Sequence, residues 1–186
     1  MSKKMKILLK DGTIVSLRKV SSNYTKEDPK QYLKYIKELL KNSNEDVYIS
    51  REKTPTLKEE IEWVKSLCEG AKKNQRIDIV VEDKDKIVGM ANAWRGKRKE
   101  KNNVTLGIAM LKDYRGKGLG KFLLNHIIEA VRDKWNPKNI VLEYEGENEY
   151  ARKVYEKVGF VEFARFPNWT MHKNRYMDTI WMRLEK

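Results

Sequence analysis

Residues 115–121 read Arg-Gly-Lys-Gly-Leu-Gly-Lys and have the composition of a loop that binds phosphate. The three glycines stand at alternate positions, and each removes a Cβ atom that would keep an anion away from the backbone N–H groups. A helix is predicted to begin at the end of this segment, so its unpaired N–H groups and its dipole would add to the positive field. The pattern favours a diphosphate ligand. The alternative is a glycine-rich turn that serves only the tight connection between a strand and a helix.

The glycine spacing matches neither a Walker A loop nor the dinucleotide motif G-x-G-x-x-G. The segment instead reads Arg-x-x-Gly-x-Gly, and residues 148–160 follow it as Asn-x-x-Ala-x-x-x-Tyr-x-x-x-Gly-Phe. These two motifs, in this order and with a predicted strand between them, resemble the GNAT superfamily of acetyl-CoA-dependent N-acetyltransferases. The resemblance covers roughly residues 76–184 and extends more loosely into the N-terminal half.

The resemblance implies that acetyl-CoA lies between two parallel strands that splay apart. Its pantetheine arm would follow the strand before the glycine loop, its diphosphate would sit on the loop, and Asn148 would meet the arm. The alternative role of Asn148 is to cap the helix that follows it. The cofactor-binding residues implied in this way are Ile108, Ala109, Met110, Arg115, Gly116, Lys117, Gly118, Leu119, Gly120, Lys121, Asn148 and Tyr155.

Two residues match catalytic positions of the family. Acyl transfer from a thioester to an amine needs a group that takes a proton from the ammonium and a group that protonates the leaving thiolate. Tyr155 matches the family's tyrosine near the sulfur, and its alternative role is packing in the core. The strand before the loop has no carboxylate, but Glu143 matches the glutamate base of the ribosomal-protein N-terminal alanine acetyltransferase branch. The alternative base is Glu145 on the same strand face, or the proton is lost through water without a dedicated base. The alternative role of Glu143 itself is that of an exposed, salt-bridged residue.

The resemblance to that branch, in the spacing of Glu143, Asn148 and Tyr155, implies a protein N-terminal α-amine as the acceptor. Cys68 lies outside the matched motifs and has no visible catalytic partner, so we expect direct transfer without an acetyl-enzyme. A polyamine, an aminosugar, an antibiotic or an amino acid is the alternative acceptor. Trp169 and Tyr176 are candidate substrate contacts, although aromatic residues on a final hairpin also serve packing. Two other classes stay open: a basic nucleic-acid-binding module, suggested by the cations of residues 95–101, and an acyl-CoA sensor without turnover.

The composition limits the class of protein. Of the 186 residues, 40 are Lys or Arg and 27 are Asp or Glu, which gives a formal net charge of +13 and a surface that attracts anions. One cysteine and two histidines exclude an intrachain disulfide and predict no metal site. No apolar run approaches the length of a membrane span and no signal peptide is apparent, so we expect a cytoplasmic protein that does not act on membranes. A homodimer is possible, and nucleic acid is not expected as a substrate.

The elements that must position these residues follow from periodicity. We expect one α/β domain over residues 1–186, with a mixed sheet of six to seven strands and four helices. Helices are predicted at 28–42, 57–71 with a Thr56/Glu59 capping box, 121–135 and 148–158. Strands are predicted in an N-terminal hairpin around the turn at Asp11 and Gly12, and at 76–82, 87–94, 104–111, 140–144, 160–166 and 176–184. A polar and aromatic loop containing Trp169 is predicted to join the last two strands.

Overall fold

A computed structural model describes residues 5–20, 25, 27–41, 53–172 and 174–185. This part of the chain forms four α-helices, two short 3-10 helices and eight strands. The α-helices are α1 (Asp28–Lys41), α2 (Leu57–Lys72), α3 (Leu119–Trp135) and α4 (Glu149–Glu156). The strands are β1 (Met5–Leu8), β2 (Ile14–Lys19), β3 (Arg76–Asp83), β4 (Lys86–Arg95), β5 (Asn103–Met110), β6 (Asn139–Glu145), β7 (Phe160–His172) and β8 (Arg175–Leu184).

All eight strands join one mixed sheet in the order β1-β2-β3-β4-β5-β6-β8-β7. Every neighbouring pair is antiparallel except β5 and β6, which are parallel and are connected through α3. A parallel pair requires such a crossover, and α3 supplies it. The expected mixed α/β architecture with a parallel pair is confirmed, with eight strands rather than six to seven.

The helices cover both faces of the sheet. Arg18 of β2 binds Asp28 of α1 at 3.0 Å, and the strand register places Met90 of β4 in the same cross-strand row as Arg18. Gly89 precedes Met90 and therefore faces the other way, and a Cβ atom added to it would lie 3.6 Å from Leu123 of α3. Helices α1 and α3 thus pack on opposite faces, and the apolar core fills the space between them and the sheet.

The capping box predicted before α2 is present. The Thr56 hydroxyl accepts a hydrogen bond from the Glu59 N–H at 3.3 Å, and the Glu59 carboxylate accepts one from the Thr56 N–H at 2.6 Å. The reciprocal bonds satisfy two N–H groups that the helix cannot pair itself. Among the described helices, none is long and apolar enough to cross a membrane.

The predicted loop between the last two strands is wrong. Strand β7 continues through that segment as far as His172 and pairs with β8 along a long hairpin. The chain absorbs the extra residues in an irregularity between Phe166 and Thr170, where Asn168 has a positive φ of 52° and its N–H binds the Asp178 carboxylate at 3.1 Å. Polar residues suggested a loop here, but an edge strand tolerates polar side chains and bulges.

Candidate active site

The parallel strands β5 and β6 separate halfway along their length. Their pairing runs from Asn103 opposite Asn139 to Leu106 opposite Leu142 and then stops. Beyond that point β5 stays paired with β4 and β6 stays paired with β8. The burial pattern changes at the same place, because the last four residues of β5, 107–110, are all half-buried. The strands therefore open a gap within an otherwise continuous sheet.

Strand β5 presents backbone groups to this gap. The Leu111 N–H binds the Val88 carbonyl at 2.9 Å, so this pair belongs to the hydrogen-bonded rows of the β4–β5 ladder. Because hydrogen-bonded and non-hydrogen-bonded rows alternate in an antiparallel ladder, Ile108 and Met110 direct their N–H and C=O groups away from β4. Ala109 differs from them. Its carbonyl faces β4 and also accepts a hydrogen bond from the Tyr35 hydroxyl of α1 at 2.9 Å.

The glycine loop ends beside the same gap. Gly116 and Gly118 have φ values of +72° and +89°, which L-residues with side chains rarely adopt, and Gly118 is the N-cap of α3. A Cβ atom added to Gly116 would meet nothing within 4 Å, so the loop is open above that residue. Within the described chain, none of the backbone N–H groups of residues 116–121 donates a hydrogen bond to another backbone group. Together with the start of α3 they form a concentrated set of donors for an anion.

The turn between β1 and β2 docks on the glycine loop. The Lys10 N–H binds the Lys117 carbonyl at 3.2 Å, and the Lys117 ammonium lies 2.7 Å from the Asp11 carboxylate. Hydrogen bonds from Lys117 and Thr13 lower the pKa of Asp11 to about 2. The sequence predicted this hairpin but not its contact with a loop about a hundred residues away, because no local pattern encodes that pairing.

Asn148 caps α4. Its side-chain oxygen accepts a hydrogen bond from the Ala151 N–H at 3.1 Å. This bond confirms the capping role, one of the two roles that the sequence suggested for Asn148. Only the oxygen is used in this bond, so the side-chain NH₂ group is the part that a bound molecule would meet. A contact between Asn148 and the cofactor arm stays a prediction.

Tyr155 of α4 lies in the core and is 6% exposed. Its ring packs edge-on against Tyr144 of β6 at 5.8 Å and lies 6.2 Å from Phe160. Burial, together with the nearby charge of Glu145, raises the pKa of Tyr155 well above its ordinary value. The phenol is therefore neutral at physiological pH and holds a proton that it can donate.

Glu143 and Glu145 follow the last paired residue of β6 and point to the same face of the sheet. Glu143 is exposed, and the described residues place no cation within 4.0 Å of its carboxylate, so the salt bridge considered as its alternative is not observed. Glu145 is half-buried. Burial raises its pKa, and the like charge of Glu143 raises it further. The two residues give the α1 side of the gap a negative potential on a protein that is positive overall.

A buried polar group beside the gap had not been predicted from the sequence. Asn92 of β4 stands opposite Gly107, the first residue of β5 after the strands separate. Its side-chain oxygen is buried without a hydrogen-bond partner, and the only other such side-chain atom in the described chain is the hydroxyl of Tyr32 on α1. An unpaired buried acceptor costs about 1–3 kcal/mol unless water or a ligand satisfies it. A polar residue within the apolar run of β4 was the available signal.

Trp169 and Tyr176 lie far along the β7–β8 hairpin. They are 69% and 65% exposed, and Trp169 packs on Phe166 at a ring distance of 5.3 Å. The contacts recorded for these two residues within the described chain do not include Glu143 or Tyr155. Thr170, next to Trp169, shares a hydroxyl hydrogen bond of 2.6 Å with Thr179, which pairs with Glu145 of β6. A contact of Trp169 or Tyr176 with the substrate stays a prediction.

Comparisons with known proteins agree with this geometry. The model of the acetyltransferase (GNAT) family matches residues 34–160. The L-amino acid N-acyltransferase MnaT of Escherichia coli is 28% identical over 109 residues, which are 58% of this chain and 63% of that protein. The chain therefore spans less than two thirds of this relative.

Two solved structures share the fold over almost the whole chain. The ribosomal-protein-S5-alanine acetyltransferase of Vibrio fischeri superposes with a TM-score of 0.78, at 22% identity, over 91% of each chain. The acetyltransferase yncA of Salmonella typhimurium, solved with its cofactor acetyl-CoA, superposes with a TM-score of 0.73, at 20% identity, over 92% of this chain and 93% of its own.

Proposed function

Since this chain belongs to the acetyltransferase (GNAT) family, we propose that it transfers the acetyl group of acetyl-CoA directly to the amine of an amino acid, with a protein N-terminal α-amine as the favoured acceptor. One observation carries the proposal. The gap between β5 and β6 opens at the point where the glycine loop presents the N–H groups of residues 116–121. An elongated ligand with a diphosphate at one end and an amide-containing arm at the other fits both features.

The donors of the chain fit the parts of acetyl-CoA. The loop N–H groups and the start of α3 would bind the diphosphate, with Lys117 and Lys121 adding charge. The backbone groups of Ile108 and Met110 would bind the amides of the arm in the manner of an added strand. Acetyl-CoA supplies the acetyl group in an activated form, as a thioester.

The chain supplies the proton transfers. Glu143, which is exposed and can exchange protons with solvent, would take a proton from the acceptor ammonium. Tyr155, neutral and buried, would donate its proton to the departing sulfur, and the second proton that the nitrogen loses as the amide forms would restore the phenol. A backbone N–H of β5 directed into the gap would stabilise negative charge on the carbonyl oxygen of the acetyl group.

Two observations support an amino-acid amine as the acceptor. The names of two similar proteins describe transfer to L-amino acids and to an alanine of a ribosomal protein. In addition, Glu143 and Glu145 place negative potential beside the gap, which attracts an ammonium group despite the net charge of +13. A free amino acid or another small amine is the second candidate, since the acceptor named for MnaT is an amino acid rather than a protein.

Gly116→Ala tests the loop. The added Cβ meets no protein atom, so in the free protein it costs only the strain of a positive φ, about 1 kcal/mol. It projects into the space assigned to the diphosphate, so affinity for coenzyme A, measured by calorimetry, should fall at least tenfold. Gly159→Ala is the matched control, since Gly159 also has a positive φ, of 103°, and lies outside the loop. If both variants bound coenzyme A with the same affinity, the glycine loop would not be part of the cofactor site.

Tyr155→Phe tests the proton donor. We expect kcat to fall about a hundredfold, within the range attributed to general acids, with the KM for acetyl-CoA changed less than threefold. Tyr144→Phe removes the hydroxyl of the ring that packs against Tyr155 and should keep kcat within threefold of wild type. If Tyr155→Phe kept the same kcat as Tyr144→Phe, Tyr155 would not be the proton donor.

Glu143→Gln tests the base. We expect kcat at pH 7 to fall about a hundredfold, because the neutral amide cannot take a proton. Glu145→Gln lies on the same face two residues away and serves as the matched control, with a smaller loss that comes only from the weaker attraction of the ammonium. If Glu145→Gln caused the larger loss of kcat, Glu145 rather than Glu143 would be the base.

An acceptor panel tests the substrate class. Release of free coenzyme A should be fastest with short peptides that have a free N-terminus. It should be at least tenfold slower with the same peptides blocked at the N-terminus but carrying a lysine. Free amino acids, a polyamine and an aminosugar complete the panel. Preference for the polyamine or the aminosugar would exclude an amino-acid acceptor.

A further inference from the structure

The end of the sheet opposite the gap carries a dense group of cations. Three segments meet there: residues 69–75 at the end of α2, residues 95–103 between β4 and β5, and residues 132–139 between α3 and β6. They contain ten Lys and Arg residues and three Asp and Glu residues. We call this region the basic pole. It accounts for a net charge of +7 out of the +13 of the whole chain.

Hydrogen bonds join the three segments into one surface. The Arg95 N–H binds the Gln75 carbonyl at 2.9 Å, and the Lys138 N–H binds the Asn102 carbonyl at 2.8 Å. The indole N–H of Trp135, at the end of α3, binds the Asn74 side chain at 2.9 Å. The cations of separate elements are therefore held in fixed positions relative to one another.

The basic pole contains a concavity of about 440 Å³. Five cations line it, and no acidic residue does. They are Lys73, Arg95, Lys97, Arg98 and Lys101. Of these, only Lys73 has a carboxylate within 4.0 Å in the described chain, that of Glu69 at 3.8 Å. A solvated charged face usually interleaves both signs, whereas this surface concentrates one sign around a cavity.

The loop of residues 96–101 has a defined backbone. Gly96 is required because a Cβ atom there would collide with the carbonyl oxygen of Glu100, and Arg98 has a positive φ of 52°. The Arg95 side chain is tied by its Nε to the Lys101 carbonyl at 2.9 Å. This bond fixes the guanidinium and leaves its two terminal nitrogens to bind an anion.

Helix ends explain only part of this charge. Helices α2 and α3 both end at the basic pole, and their negative dipole ends favour cations such as Lys72 and Lys134. The cations of residues 95–101 belong to no α-helix end, and the 3-10 helix there, Arg98–Glu100, is a single turn. They require a different explanation, and an anionic ligand provides one.

We propose that the basic pole binds the phosphodiester backbone of single-stranded RNA. A membrane surface fits less well, because among the exposed large apolar residues of the described chain only Trp94 lies there to anchor it. RNA presents one phosphate per nucleotide to an extended set of cations, and its unstacked bases suit an exposed indole. Trp94 is 40% exposed but faces the side of the sheet opposite Arg95, and the Arg76 guanidinium lies 4.7 Å from its ring centroid, so the cations rather than the indole carry the proposal.

The basic pole and the gap lie at opposite ends of β5. From Asn103 to Met110 the strand spans about 24 Å at the usual rise per residue. Bound RNA would therefore leave the acetyl-CoA site open. The proposal does not rest on the acetyltransferase assignment, and each can fail without the other.

Fluorescence anisotropy with a labelled RNA of about 20 nucleotides and mixed sequence tests the proposal on the full-length protein. We expect saturable binding in 50 mM KCl that weakens steeply as KCl is raised to 200 mM. The triple variant K97E/R98E/K101E should bind at least tenfold more weakly. Its plot of log affinity against log salt should lose about 2 from the slope, since each lost contact contributes about 0.7 for a single strand.

The matched control is K34E/K37E/K58E, which makes the same charge change at exposed lysines of α1 and α2. It should weaken RNA binding less than threefold. Both variants should show the wild-type melting temperature, and K97A/R98A/K101A replaces the reversal if that variant is less stable. No RNA binding by wild type in 50 mM KCl, equal weakening by both triple variants, or tighter binding of oligoglutamate than of RNA would each overturn the proposal.

Discussion

The separation of β5 from β6 is the constraint on which the rest of the site depends. Two parallel strands would normally stay paired and would satisfy each other's backbone groups. Here the pairing stops after Leu106 and Leu142, and each strand is held by its other neighbour. The backbone groups of Ile108 and Met110 are thereby left for a ligand. The segment of β6 beyond the break carries the exposed Glu143 and also Tyr144, on which the ring of Tyr155 packs. Backbone donors and two candidate proton-transfer groups therefore belong to the same part of the sheet or lie against it.

The electrostatic arrangement follows from this geometry. The glycine loop and the start of α3 make one end of the gap positive, and the docked β1–β2 turn holds Lys117 there through Asp11. Glu143 and Glu145 make the α1 face of the gap negative. A ligand with a diphosphate and an acceptor with an ammonium group would therefore enter separate regions of opposite charge. The net charge of +13 does not show this division, because +7 of that charge belongs to the basic pole at the opposite end of the sheet.

The sequence predicted the elements better than their contacts. Local signals such as the turn at Gly12, the capping box at Thr56 and the glycine loop each depend on a few adjacent residues, and all three appear where they were expected. The docking of Asp11 on Lys117 joins residues that are distant in sequence, and no local pattern predicts it. The position of Asn92 within the apolar run of β4 was a signal, but its unpaired oxygen depends on the residues that pack around it in the fold. The predicted loop around Trp169 failed for a related reason, since pairing with β8 overrides the local polar composition.

Amide chemical shifts during a titration with acetyl-CoA test the central claim most directly, because they report which backbone N–H groups meet the ligand. If the gap and the loop form the cofactor site, the signals of Ile108, Met110 and residues 116–121 will shift together and saturate at one equivalent, while signals of the basic pole stay in place. Shifts confined to other regions, or no saturable shifts at all, would contradict the account.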